Sequence, residues 1–166
     1  MEQYDYNAYY LCPDEITSRF FTELMYAVTH ELFDIIKASD HWFAPDKINF
    51  LNEEGWSTLM LAAISDAKAG MNNIVRLLLQ RGADVNLQDS SGWSALALAA
   101  QSSCSISSVE IVKILLENGA NPNLKVDYES ILSLSIYDNN DKNVEATKLV
   151  LDYGADINMI HRIKHL

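Results

Sequence analysis

Gly82-Ala83-Asp84-Val85-Asn86 decides the fold, because the chain repeats it. It returns as Gly119-Ala120-Asn121-Pro122-Asn123 after 37 residues, and as Gly154-Ala155-Asp156-Ile157-Asn158 after another 35. A second motif recurs in phase with it: Gly55-Trp56-Ser57 comes back as Gly92-Trp93-Ser94, also 37 residues on. Self-similarity at a fixed period is the signature of a stacked array of small supersecondary units.

Two apolar segments lie between these landmarks. The first is Leu59-Met60-Leu61-Ala62-Ala63, matched by Leu96-Ala97-Leu98-Ala99-Ala100 and more loosely by Leu132-Ser133-Leu134-Ser135-Ile136. Its alanines let two helix backbones approach closely. The second is Ile74-Val75-Arg76-Leu77-Leu78-Leu79, matched by Ile111–Leu116 and Ala146–Leu151. Apolar side chains at i, i+1, i+4 and i+5 make a wide helical stripe. Arg76, Lys113 and Lys148 interrupt it at one recurring position, which must face water. The glycines at 82, 119 and 154 then close each second helix in a left-handed conformation. The Asn, Asp and Gly content of Asn86–Gly92 marks a tight turn or hairpin.

These residues resemble ankyrin repeats. The family pattern is a glycine, a variable residue and Thr-Pro-Leu-His-x-Ala-Ala, followed later by Gly-Ala-Asp-x-Asn. Here its first half reads Gly55-Trp56-Ser57-Thr58-Leu59-Met60-Leu61-Ala62-Ala63 and Gly92-Trp93-Ser94-Ala95-Leu96-Ala97-Leu98-Ala99-Ala100. Serine replaces threonine, and the proline and histidine that stiffen the helix start are missing. The resemblance implies an all-α fold, an ankyrin-repeat solenoid of stacked helix pairs with hairpin or turn tips. The period of 35–37 residues exceeds the usual 33 or so. The extra residues fall between the helices, at Ile64–Asn73 and Gln101–Glu110, and an added turn on the first helix would keep its buried face in phase. Long repeats of this kind are similar to those of giant DNA viruses and some bacteria.

The pattern sets expected boundaries: an N-terminal tyrosine-rich arm at 1–16, a degenerate capping repeat at 17–49, and repeats at 50–86, 87–123 and 124–158. In the capping repeat, Thr22–Val28 and Leu32–Ile36 read as the helix pair, Ser39–Pro45 as a lengthened loop, and Lys47-Ile48-Asn49 as the repeat's end. Residues 159–166 either cover the last repeat or begin another one. Tyr4, Tyr6, Tyr9 and Tyr10 suggest an arm that docks, preferably on its own first repeat, so removing residues 1–16 is expected to lower the melting temperature.

Composition excludes several functions. With 49% hydrophobic residues among 166, the chain can bury a core. Net charge is −11, and residues 1–60 carry −8 of it. No cluster of Lys and Arg exists to displace counterions from phosphates, so neither nucleic acid nor an anionic membrane is an expected partner. No apolar run reaches the roughly 18 residues of a membrane span. Two cysteines make no disulfide framework, and the acidic, tyrosine-rich start is unlike a secretory signal. The expected location is cytoplasmic, in the host cytoplasm for a viral or bacterial effector.

Candidate chemical sites each have a plainer account. His161 and His165 stand at i, i+4, but no acid or thiol nearby completes a metal shell. Asp138–Asn143 lacks the glycine and the closing glutamate of a calcium loop, and reads as a polar loop joining two helices. Cys12 and Cys104 carry no signature of activated nucleophiles, and no phosphate loop, zinc-protease helix or nucleophile elbow occurs. No catalytic residue, metal or cofactor is expected, and the chain is not read as an enzyme.

The expected function is protein binding through hairpin tips and the concave helix surface, by a chain monomeric on its own. The candidates are Leu51, Glu53, Glu54, Trp56, Gln88, Ser90, Ser91, Trp93, Lys125, Asp127 and Tyr128. Trp56 and Trp93 are either contact anchors or part of the stack. The partner is expected to present a basic patch. An adaptor or effector role and an acidic inhibitor or immunity role, blocking a basic toxin or nuclease site, both fit.

Overall fold

A computed structural model of the chain describes residues 22–65, 70–102, 106–127, 129–136 and 141–159. The tyrosine arm at 1–16, both cysteines, Tyr128, His161 and His165 lie outside the described residues.

Among the described residues, four helix pairs follow one another. They are α1 (Glu23–Thr29) with α2 (Phe33–Ala38), α4 (Thr58–Ile64) with α5 (Met71–Gln80), α6 (Ala95–Gln101) with α7 (Ile106–Glu117), and α8 (Ile131–Ile136) with α9 (Asp141–Asp152). The first helices stand side by side in the order α1, α4, α6, α8, and α5, α7 and α9 form a second row behind them. Among the described residues, strand is confined to Lys125–Val126 (β1) and Glu129–Ser130 (β2), an antiparallel pair at a hairpin tip.

Hydroxyl side chains start the first helices. Thr22, Ser57, Ser94 and Ser130 each accept a hydrogen bond from the backbone N–H three residues on, at 3.1, 3.2, 3.3 and 3.1 Å. Each thereby satisfies one of the free donors of the first turn. At Ser57 the cap is reciprocal, because the Ser57 N–H donates back to Met60 Sδ at 3.4 Å. Residues 58–63 and 95–100 are buried without exception. A helix covered on every side must be apolar all round.

The second helices of the last three pairs, α5, α7 and α9, end alike. Gly82, Gly119 and Gly154 have φ of 92°, 86° and 89°. The glycine N–H bonds back to Leu79, Leu116 or Leu151, and the following alanine N–H bonds to Leu78, Leu115 or Val150, all within 2.9–3.1 Å. This paired closure is the Schellman arrangement. Arg76, Lys113 and Lys148 are exposed, as their place in the stripe requires.

An asparagine clamp locks neighbouring repeats. Asn49 Oδ1 accepts from the Asp84 N–H, Asn86 Oδ1 from the Asn121 N–H and Asn123 Oδ1 from the Asp156 N–H, each at 2.8 Å. The same amides donate to the carbonyls of Gly82, Gly119 and Gly154 at 3.4, 3.1 and 3.0 Å. Lys47-Ile48-Asn49 thus works as a repeat end. One continuous core runs from Leu24 and Ile36 through Leu59, Ile74, Leu96 and Ile114 to Leu132 and Val150.

Three sequence expectations need correction. The first helices are not lengthened: α4 and α6 have seven residues each and end at Ile64 and Gln101. Ser39–Pro45 is no open loop, because a 3-10 turn spans Asp40–Phe43 and α3 (Pro45–Ile48) follows directly. Arg81 holds this segment in place, reaching Asp40 Oδ1 at 2.6 Å with its guanidinium 4.6 Å from the centre of the Phe43 ring. Finally, the polar stretch at 138–143 is not all loop, since Asp141–Asn143 begin α9.

Candidate protein-binding surface

Two of the tips are built on one plan. Asn52 Oδ1 accepts from the N–H groups of Glu54 and Trp56 at 3.1 and 2.8 Å, and its own N–H donates to the Trp56 carbonyl at 3.0 Å. Asp89 does the same one repeat later, accepting from Ser91 and Trp93 at 2.9 and 2.8 Å and donating to the Trp93 carbonyl at 2.9 Å. A side-chain acceptor that folds the loop onto itself in this way replaces ladder bonds the short turn cannot make. These two residues set the tips, and the list of contact candidates omitted them. Their signal was legible: both stand three residues before the glycine of Gly-Trp-Ser, and both carry an oxygen at Cγ.

The third tip is one residue shorter. Gln88 bridges to Ser94, whereas Lys125 pairs with Ser130, leaving a two-residue turn that opens on Asp127 at φ 48°. The left-handed region is the one a tight hairpin turn demands, and Asp tolerates it better than most residues.

The tips stack in register. The Asp127 N–H donates to the Ser91 carbonyl at 2.9 Å. Gln88 Nε2 reaches the carbonyls of Gly92 and Lys125, at 2.6 and 3.1 Å. Close approach explains the glycines: a Cβ on Gly55 would meet Asp89 Cβ at 3.0 Å, and one on Gly92 would overlap the Lys125 carbonyl oxygen.

Glu53, Glu54, Ser90, Ser91, Lys125 and Asp127 are exposed along this row. Leu51 and Gln88 are half-buried, and the Gln88 amide is engaged within the ladder. Trp56 and Trp93 are half-buried against the core, at the foot of the first two tips. Leu59, Ala99 and Ile114 are core, while Leu77 and Leu149 pack against its edge. Charge varies along the row, from the two acids at 53 and 54, through two serines, to Asp127 and Glu129 beside Lys125. Among the described residues no group of three or more His, Cys, Asp or Glu is placed to hold a metal ion. Nor is any described helix long and apolar enough to cross a membrane.

Stacked helix pairs, hairpin tips in register and a repeating asparagine clamp define a solenoid repeat protein. The family profile for ankyrin repeats, in three copies, matches residues 24–126 and 67–161. The chain belongs to the ankyrin repeat family. It is 35% identical over 97 residues to ankyrin repeat protein L91 of Acanthamoeba polyphaga mimivirus, and 38% identical over 93 residues to ankyrin repeat protein L122 of the same virus. These matches cover 53% and 51% of this chain but 15% and 14% of the relatives, so the shared part is a small fraction of their length. Ankyrin repeats make the chain a protein–protein interaction module, and the match identifies no catalytic domain.

Proposed function

We propose that this chain is a non-enzymatic adaptor or effector that captures a partner protein bearing a basic patch, docking it on the row of hairpin tips and the first-helix surface beside them. The observation that carries this reading is that Trp56 and Trp93 are half-buried at the tip bases one repeat apart, with Glu53 and Glu54 exposed on the tip that precedes Trp56. Part-buried aromatic rings ringed by polar groups are the usual anatomy of a binding hot spot. Tips held by backbone bonds across repeats lose little freedom on binding, which favours affinity.

Similarity to the mimivirus proteins supports a place of action in host cytoplasm, with an amoebal protein as the partner. The acidic balance of −8 within residues 1–60 also supports the inhibitor reading, in which this end blocks a basic toxin or nuclease site. Salt separates the two. Affinity that collapses between low and high ionic strength favours the inhibitor, while affinity that persists favours an adaptor anchored by the tryptophans. Capture from amoebal lysate, compared between the unmodified chain and Trp93→Ala, tests both. Loss of the same captured proteins in the variant is expected, and unchanged capture places the contact elsewhere.

A further inference from the structure

Asn118-Gly119 is the one Asn-Gly pair in the chain. The other two second helices that close on a glycine carry Arg81 and Tyr153 before it. The pair matters chemically, because the backbone nitrogen after an asparagine can attack that asparagine's side-chain carbonyl. Glycine presents this nitrogen with no side chain in the way. Asn118 is exposed, and a Cβ built on Gly119 would meet nothing within 4 Å, so neither burial nor crowding shields the pair. Hydrogen bonds occupy both reacting groups instead. The Gly119 N–H donates to the Leu116 carbonyl at 3.0 Å, and Asn118 Nδ2 donates to the Ile114 carbonyl at 2.8 Å. The Asn118 N–H is also bonded back into the helix, to the carbonyls of Ile114 and Leu115 at 3.2 and 3.1 Å. Past the glycine nitrogen, the Gly119 carbonyl accepts from Asn86 Nδ2 at 3.1 Å, which ties this closure to the previous repeat.

We propose that Asn118 is a site of spontaneous deamidation that the closure of α7 keeps latent. When the closure opens, the Gly119 nitrogen gives its proton to a solvent base and bonds to Asn118 Cγ, and the side-chain amide leaves as ammonia. The cyclic imide then takes up water, giving aspartate or the isomer whose backbone runs through the side chain. Water is the one co-reactant, and no electrons are transferred. Either product removes the donor to the Ile114 carbonyl and sets a negative charge at the C-terminal end of α7, where the helix dipole opposes it. The isomer also lengthens the backbone by a methylene just before Gly119. That moves the glycine N–H and carbonyl off Leu116 and Asn86, so one slow reaction loosens the junction between two repeats.

The test follows amide loss at Asn118 in the full chain by peptide mass spectrometry, in mildly alkaline buffer with and without guanidinium chloride. The folded chain is expected to react at least about tenfold more slowly than the unfolded one, since reaction waits on local opening. Asn86→Asp keeps the acceptor for the Asn121 N–H but loses the donor to the Gly119 carbonyl, and is expected to speed the folded-state reaction about threefold or more. Asn49→Asp makes the same change to the clamp one repeat earlier and is expected to leave the rate at Asn118 unaltered. Asn118→Asp, which installs one product directly, is expected to lower the melting temperature. Equal rates in the folded and unfolded chain overturn the inference, as does a rate that Asn86→Asp leaves unchanged. So does equal acceleration by Asn49→Asp, which would make global unfolding the gate, or an Asn118→Asp chain that melts where the unmodified one does.

Discussion

Asn86 shows how much a single side chain does in this array. Its oxygen holds the Asn121 N–H and its amide holds the Gly119 carbonyl, so one residue ties two repeats through their backbones. Replacing Asn86 with alanine removes both bonds and should cost about 1–3 kcal/mol, read as a lower denaturant midpoint at unchanged slope. Glycines offer a sharper contrast. Gly119 and Gly92 both have positive φ, but a Cβ has open space at 119 and meets the Lys125 carbonyl at 92. Gly119→Ala should cost about 1 kcal/mol for conformation alone, and Gly92→Ala distinctly more. Equal costs in denaturant melts would mean that the tips do not stack as closely as described. The clamp was not legible in the sequence. A recurring asparagine is visible, but its partners are backbone groups of another repeat, which no local pattern displays.

At the level of the helix, the caps and closures divide into what neighbouring residues encode and what packing decides. The glycine closures and the exposed Arg76, Lys113 and Lys148 could be read directly, because they depend only on period and on backbone preference. The length of α4 could not: an added turn and a longer connection fit the same residue count, and the helix stops at Ile64. The short third tip was equally hidden, since Asp127 does the work that glycine usually announces. Thr58 offers a stabilising change. It is the first helical residue after the Ser57 cap, its hydroxyl is buried without a partner, and the family pattern places proline there. Ser57, at φ −90° and ψ 163°, already has the extended backbone a following proline needs. Thr58→Pro should therefore stabilise the fold by about 0.5–1 kcal/mol, seen as a melting temperature a few degrees higher. By contrast Ser94→Ala, which loses the cap of α6, should cost about 1 kcal/mol.

Over the whole molecule, the core and the exposed charge are laid on different parts of the stack. The two rows of helices carry the core, while the tips carry exposed charge and two half-buried indoles. The sequence showed this division, because tip residues vary between repeats while the helix pattern recurs. It did not show which tip residues serve as struts. Asn52, Asp89 and Gln88 are held within the tips, so the proposed contact face comprises Glu53, Glu54, Trp56, Ser90, Ser91 and Trp93. The most direct test compares capture from amoebal lysate by three folded forms: the unmodified chain, Glu53→Lys with Trp93→Ala at the tips, and Arg76→Ala with Lys113→Ala on the second helices. The tip pair is predicted to lose the captured proteins while remaining folded, with some loss of melting temperature because Trp93 packs against the core, and the second-helix pair to keep them. Capture that survives the tip changes but fails with the second-helix changes would contradict the account.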